Sequence, residues 1–129
     1  MMGLAIQLDQ AAPAIVLKLR GELDYSTAPN LEAQLPRLLT RLEESRAQWV
    51  LLDTEELQFL DMSGVRAITT CWREVRVLGA KGVALIADKS AVMPAYRWAR
   101  LHELLPIYRS LEEALREIGA SEDSGATGE

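Results

Sequence analysis

Cysteine is nearly absent from this chain. Cys71 stands alone, so no internal disulfide can form, and no metal-ligand spacing includes it. A solitary thiol fits a reducing compartment, and a cytoplasmic location is expected. Long apolar runs are missing too. No stretch approaches the roughly 20 residues that cross a bilayer, so no membrane span is expected. The amino terminus has no charged start leading into an apolar run, and no secretory signal is expected there. Positive charge is also short, with 14 Lys and Arg against 19 Asp and Glu and a net charge of −5. The basic residues are scattered rather than gathered, which argues against nucleic-acid binding, where affinity comes from neutralised phosphates. A Gly-rich phosphate loop is lacking as well, so no bound cofactor is expected, and any ATP consumed should belong to a partner.

What is present suffices for one domain. A chain of 129 residues can bury about two-thirds of the surface its unfolded form exposes, so it needs no metal or crosslink to hold a core. Leu4, Ile6 and Leu8 alternate with polar or small residues, and Ile15, Leu17 and Leu19 do so again after a turn at residues 10–13. That pattern predicts an antiparallel hairpin. Gly21 is expected to break the second strand, with a loop over residues 22–25. Ser26 or Thr27 can cap a helix that carries Leu31, Leu35, Leu38 and Leu42 at helical spacing, and Pro36 is expected to kink it. Residues 49–52 are continuously apolar, as for a central strand covered on both faces. Residues 53–61 read as a loop.

A second helix is expected from about Ser63, with Val65, Ile68, Trp72 and Val75 inward and Arg66, Arg73 and Arg76 outward. Gly79 and Gly82 close it, and residues 83–87 form another buried strand. Ser90 can cap a third helix reaching Trp98, and residues 106–108 make a brief edge strand. Ser110-Leu111-Glu112-Glu113 is a capping box for a last helix with Leu111, Ala114, Leu115 and Ile118 inward. Residues 120–129 hold no large apolar side chain and cannot repay their ordering entropy. The expected division is therefore a domain over residues 1–119 and a flexible acidic tail over residues 120–129. The expected architecture is α/β, a mixed sheet of about five strands with about four helices.

The segment around Asp61, Met62, Ser63 and Gly64 concentrates the chemistry. It delivers an acid, a hydroxyl and a glycine to the start of a helix, where unpaired N–H groups and a partial positive charge favour an anion. A phosphate on Ser63 would sit in that field, and Gly64 would let a partner's backbone come close. The same residues also suit a plain helix cap, made by Asp61 or Ser63, and both readings stand on the residues alone.

Phe59-Leu60-Asp61-Met62-Ser63-Gly64 resembles the phosphorylation motif of STAS domains of the anti-sigma factor antagonist family. Arg20-Gly21-Glu22-Leu23-Asp24 resembles the family's early strand end, and Thr27-Ala28-Pro29 its next helix start. The stretch from Leu101 through Tyr108, with the Ser110 capping box after it, resembles the carboxy-terminal signature. The likeness runs in order from about residue 4 to residue 118. It implies a single STAS-like domain with Ser63 as phosphoacceptor and a partner surface including Gly21, Asp24, Asp61, Met62 and Gly64. It further implies partner switching: the unphosphorylated domain binds an anti-sigma factor serine kinase, which then releases its sigma factor. Phosphorylation weakens that binding and a serine phosphatase resets it. The resemblance leaves room for a homodimer, and for a constitutive scaffold in a stress-signalling or lipid-transport assembly.

Two departures stand out. Met62 fills a place often held by a small polar residue. The glycine usual at the end of the third helix is missing from Ala99-Arg100-Leu101, which predicts a non-glycine residue near a left-handed conformation there. Other chemistries fit poorly. A Cys71–His102 dyad would need a thiol that the pattern buries beside Trp72. Asp53, Glu55, Glu56 and Asp61 lack the spacing and turn glycine of a calcium loop. A hydrolase using Ser63 has no placed base, so no enzymatic activity is expected.

Overall fold

The computed structural model describes residues 3–88 and 91–127, and of residues 120–127 the backbone alone. Two long strands, β1 (Leu4–Ala11) and β2 (Ala14–Leu23), form the expected antiparallel hairpin, with Leu8 opposite Leu17 and Ile6 opposite Leu19. From β2 onward the strands run parallel. β3 (Trp49–Leu60), β4 (Gly82–Ile86) and β5 (Ile107–Tyr108) follow in spatial order β1-β2-β3-β4-β5. The helices α1 (Ala28–Ala33), α2 (Leu35–Glu44), α3 (Met62–Leu78) and α4 (Met93–Trp98) connect them, a 3-10 turn spans Leu101–Glu103, and α5 (Leu111–Thr127) closes the chain.

Alternate side chains of the central strands go to opposite faces, which is why they read as unbroken apolar runs. Leu17, Leu19, Val50, Leu52, Val83 and Leu85 face one core with Leu31, Leu38, Ile68, Val75 and Tyr96 of the first four helices. Val16, Leu51, Ala84 and Ile86 face a second, smaller core closed by Ala114 and Ile118 of α5. Among the described residues, no helix is long and apolar enough to cross a membrane.

Several local expectations need correction. The loop expected over residues 53–61 is strand: β3 runs on to Leu60 alongside β2, which itself passes through Gly21 to Leu23. Each extension supplies the other's pairing, with Gly21 against Leu57 and Leu23 against Leu60. The acidic stretch is held by long-range partners that strand propensity does not anticipate. Glu56 takes Lys18 at 3.0 Å and Arg20 at 3.1 Å, and Thr54 Oγ1 donates to the Ile86 carbonyl at 2.8 Å.

Gly21 therefore does not break β2. At φ +111° it lets the strand curl through a register shift, and a Cβ there would run into the Gly3 carbonyl. The first helical segment is divided at Gln34, with Pro36 in the opening turn of α2, where a missing N–H costs little. The expected Ser90 cap lies outside the described residues. Ser110 does cap α5, its Oγ accepting the Glu113 amide at 3.0 Å. Gly119 does not end that helix, whose backbone continues to Thr127 across most of the expected tail.

The glycine missing after α4 has the foreseen consequence. Arg100 adopts φ 59° and ψ 31°, the left-handed conformation that an L side chain pays to enter. Arg100→Gly should raise the unfolding free energy by about 1 kcal/mol in denaturant titration, since the lost exposed pair with Glu103 is worth little. Truncation after Gly119 should shift Tm by no more than about 2–3 °C, because both fully buried α5 side chains described, Ala114 and Ile118, precede the cut. A larger drop would mean that residues 120–129 pack on the domain.

Candidate functional site

The site is assembled at the carboxyl ends of β2 and β3. β3 stops at Leu60, and Asp61 turns the chain into α3 with extended φ −113° and ψ −173°. Its Oδ1 accepts the Gly64 amide at 3.1 Å, which makes Asp61 the helix cap. Its Oδ2 accepts the Tyr25 amide at 3.0 Å, across to the loop after β2. The Asp61 amide donates to the Leu23 carbonyl at 3.3 Å. One residue thus caps α3 and ties it to the β2–α1 loop.

Asp24 organises that loop. Its Oδ1 accepts the Ser26 hydroxyl at 2.8 Å and the amides of Ser26 and Thr27 at 3.0 and 3.1 Å. The Ser26 hydroxyl foremost, joined by the Thr27 amide and hydroxyl and the Ser26 amide, holds the Asp24 carboxyl below the usual carboxylate range. Thr27 precedes α1 but its side chain does not cap it: Oγ1 donates to the Glu22 carbonyl at 2.7 Å and accepts the Asp24 amide at 2.9 Å. Neither Ser26 nor Thr27 caps α1 through its side chain; both are instead held by the Asp24 carboxylate in the turn that precedes the helix.

Because Asp61 takes the capping role, Ser63 is left without it. Ser63 is the second residue of α3, half-buried, and its hydroxyl has no hydrogen-bond partner among the described residues. Gly64 beside it is buried. A Cβ there would lie 2.5 Å from the Leu23 carbonyl oxygen and 2.5 Å from Leu60 Cδ1. The close approach this glycine permits is to the ends of β2 and β3, not to a partner's backbone as the sequence suggested. Asp61, Met62, Ser63 and Gly64 follow one another at the start of α3, Tyr25 ties Asp61 to the loop that Asp24 holds, and Gly21 lies within the β1–β2–β3 ladder, paired with Leu4 and Leu57.

The pattern of the sequence missed the apolar surroundings. Met62 and Phe59 are half-exposed, while Tyr25 and Trp98 are 82% and 79% exposed. A groove of about 540 Å³ runs beside the start of α3, lined by Asp61 and by apolar residues including Leu60, Met62, Val65, Pro94 and Trp98. Tyr25 in a polar loop and Trp98 at a helix end were the available signals, but only packing reveals that they stay uncovered. Arg66 and Arg73 are exposed as expected, and Arg76 lies over the Trp72 ring at 5.1 Å.

The alternative chemistries stay apart. Burial pushes the Cys71 thiol up to about 12, which disfavours a thiolate, and His102 is exposed beside Glu103 at 3.9 Å. Asp53 is buried in β3 and accepts the Glu55 amide at 3.1 Å, while Glu56 is engaged by Lys18 and Arg20.

Residues 5–114 match the model of the STAS domain. The chain is 26% identical over 120 residues to an anti-sigma F factor antagonist of Paenibacillus polymyxa, covering 91% of this chain and 97% of that protein. Its fold is similar to that of an anti-sigma factor antagonist from Mycobacterium paratuberculosis, with TM-score 0.77 and 19% identity over 89% of this chain and 93% of the other. It is also similar to the Bacillus cell fate determinant SpoIIAA in the phosphorylated form, with TM-score 0.60 and 21% identity over 88% and 99% of the two chains.

The double use of the Asp61 carboxylate has a measurable consequence. Asp61→Ala should cost about 0.5–2 kcal/mol of stability, mostly from the lost cap, since water can take over the exposed Tyr25 amide. Hydrogen exchange should quicken at both Gly64 and Tyr25. Faster exchange at Gly64 alone would mean that the loop is held by something else.

Proposed function

This chain belongs to the STAS domain family, and from that premise we propose that it acts as an anti-sigma factor antagonist switched by phosphorylation of Ser63. The unmodified domain binds an anti-sigma factor serine kinase in the cytoplasm, and that kinase then lets go of its sigma factor. Transfer of a phosphoryl group to Ser63 ends the binding, and a serine phosphatase restores it. The ATP belongs to the kinase.

One observation carries the reading. Ser63 offers an unengaged hydroxyl in the first turn of α3, next to exposed Met62 and beside the groove that Trp98 borders. Exposed apolar residues of this size, gathered around a modifiable hydroxyl, favour a protein interface over a solvated surface. The anti-sigma factor antagonists of similar sequence and fold, one of them known in a phosphorylated form, support the same reading.

Two electrostatic effects decide what the phosphate does. Within the free domain it gains about 0.3–1 kcal/mol from the helix amino terminus and something from exposed Arg66 one turn on. It loses a comparable amount by repulsion from Asp61. These nearly cancel, so stability should hardly move. At the interface, about −1.5 to −2 charges enter a surface that the partner must desolvate. An uncompensated buried charge costs several kcal/mol, and each ~1.4 kcal/mol is tenfold in affinity. The interface effect dominates.

Incubation with the partner kinase and ATP should therefore add one phosphate, placed on Ser63 by mass spectrometry, and Ser63→Ala should abolish incorporation. Ser63→Glu, with less charge than a phosphate, should weaken kinase binding by at least about tenfold while Tm stays near the parent's. Equal calorimetric affinity for the unmodified and fully phosphorylated protein would sink the switch and favour a constitutive scaffold.

A further inference from the structure

We propose that a second cleft, at the carboxyl ends of β4 and β5, binds a small phosphate ester. The cleft holds about 570 Å³, within the roughly 300–1,000 Å³ usual for small-molecule sites. It opens where the chain leaves β4 at Ala87 and β5 at Arg109, with α4 and the 3-10 turn as its other wall. Ligands of open α/β sheets gather at that end of the strands.

The cleft gathers basic side chains from three elements. In a chain of net charge −5, Arg97 from α4, His102 from the 3-10 turn and Arg109 after β5 line one concavity. Neither the Arg97 nor the Arg109 guanidinium has a hydrogen-bond or ion-pair partner among the described residues. Carboxylates border the cleft as well: Glu103 lies 3.9 Å from His102 Nε2 and is shared with Arg100 at 3.5 Å, and Glu113 and Glu117 of α5 lie near the lining residue Tyr108. None of these carboxylates pairs with Arg97 or Arg109 among the described contacts. The three terminal oxygens and roughly double charge of a phosphomonoester suit two guanidinium forks better than a single carboxylate does. Ala87, Met93 and Ile107 add an apolar wall, which favours an ester with a compact body, of sugar or aromatic-ring size, over the bare ion.

The cleft and the groove near Ser63 use different residues of the same short helix. Met93 and Arg97 line the cleft, while Pro94, Ala95 and Trp98 line the groove. Binding in the cleft needs nothing from Ser63, so the two sites can be tested apart.

The test is a titration of the ¹⁵N-labelled full chain with phenyl phosphate, followed by amide shifts. Saturable shifts are expected at Ala87, Arg97, Ile107 and Arg109, reversed by inorganic phosphate and absent with the neutral benzyl alcohol. The Arg97→Gln/Arg109→Gln variant should raise Kd by about tenfold or more. Both residues are exposed, so its spectrum should otherwise match the parent, and either single substitution should weaken binding if the pair together disturbs the fold. Ser63→Ala should bind as the parent does. No saturable shift at the cleft, shifts confined to the start of α3, or equal affinity in the arginine variants would each overturn the proposal.

Discussion

The carboxylate of Asp61 is the contact on which the functional end of this domain depends. One oxygen holds the Gly64 amide and starts α3; the other holds the Tyr25 amide and fixes the loop after β2. Two segments remote in sequence thereby share one anionic group. An acceptor satisfied on both oxygens is worth more than two separate caps, because each bond keeps the carboxylate oriented for the other. Behind it, Gly64 has no room for a side chain, so the start of α3 rests directly on the ends of β2 and β3.

This division of labour explains why Ser63 is free. Had the serine capped the helix, its hydroxyl would already be an acceptor of a backbone N–H, and modification would compete with folding. With Asp61 in that role, the hydroxyl has no structural duty among the described contacts. A phosphate there would alter the surface without dismantling the fold. The proposed switch relies on that separation, and on Met62 and Trp98 of the adjoining groove and Tyr25 of the tethered loop remaining uncovered. An acidic neighbour that stabilises the scaffold and an apolar rim that disfavours added charge act on the same group through different physics.

Much of this was legible in the chain. The alternation of Leu4 to Leu8 and Ile15 to Leu19 predicted the hairpin, since a half-buried strand needs that period. Set against the pattern of the family it resembles, the lack of a glycine at residues 99–101 predicted the strained backbone found at Arg100. The errors share a cause. Residues 53–60 read as loop because acidic residues are poor strand formers in isolation, and Gly21 read as a break because glycine usually is one. Both judgements were local. Lys18 and Arg20 on Glu56, and the pairing of Gly21 with Leu57, are contacts between segments more than thirty residues apart.

By itself the sequence determined the α/β class, the order of elements, the family, and Ser63 with Asp61 and Gly64 as the residues of interest. Periodicity and motif spacing are properties of contiguous chain, and they survive without knowledge of the fold. Only the tertiary structure decided which residue caps α3, which glycine is needed for internal packing, and which aromatics stay exposed. It alone brought Arg97, His102 and Arg109 to one cleft from three separate elements. Burial, convergence and the satisfaction of a hydrogen-bond donor depend on neighbours that the chain supplies from a distance, and no local pattern encodes where those neighbours come to rest.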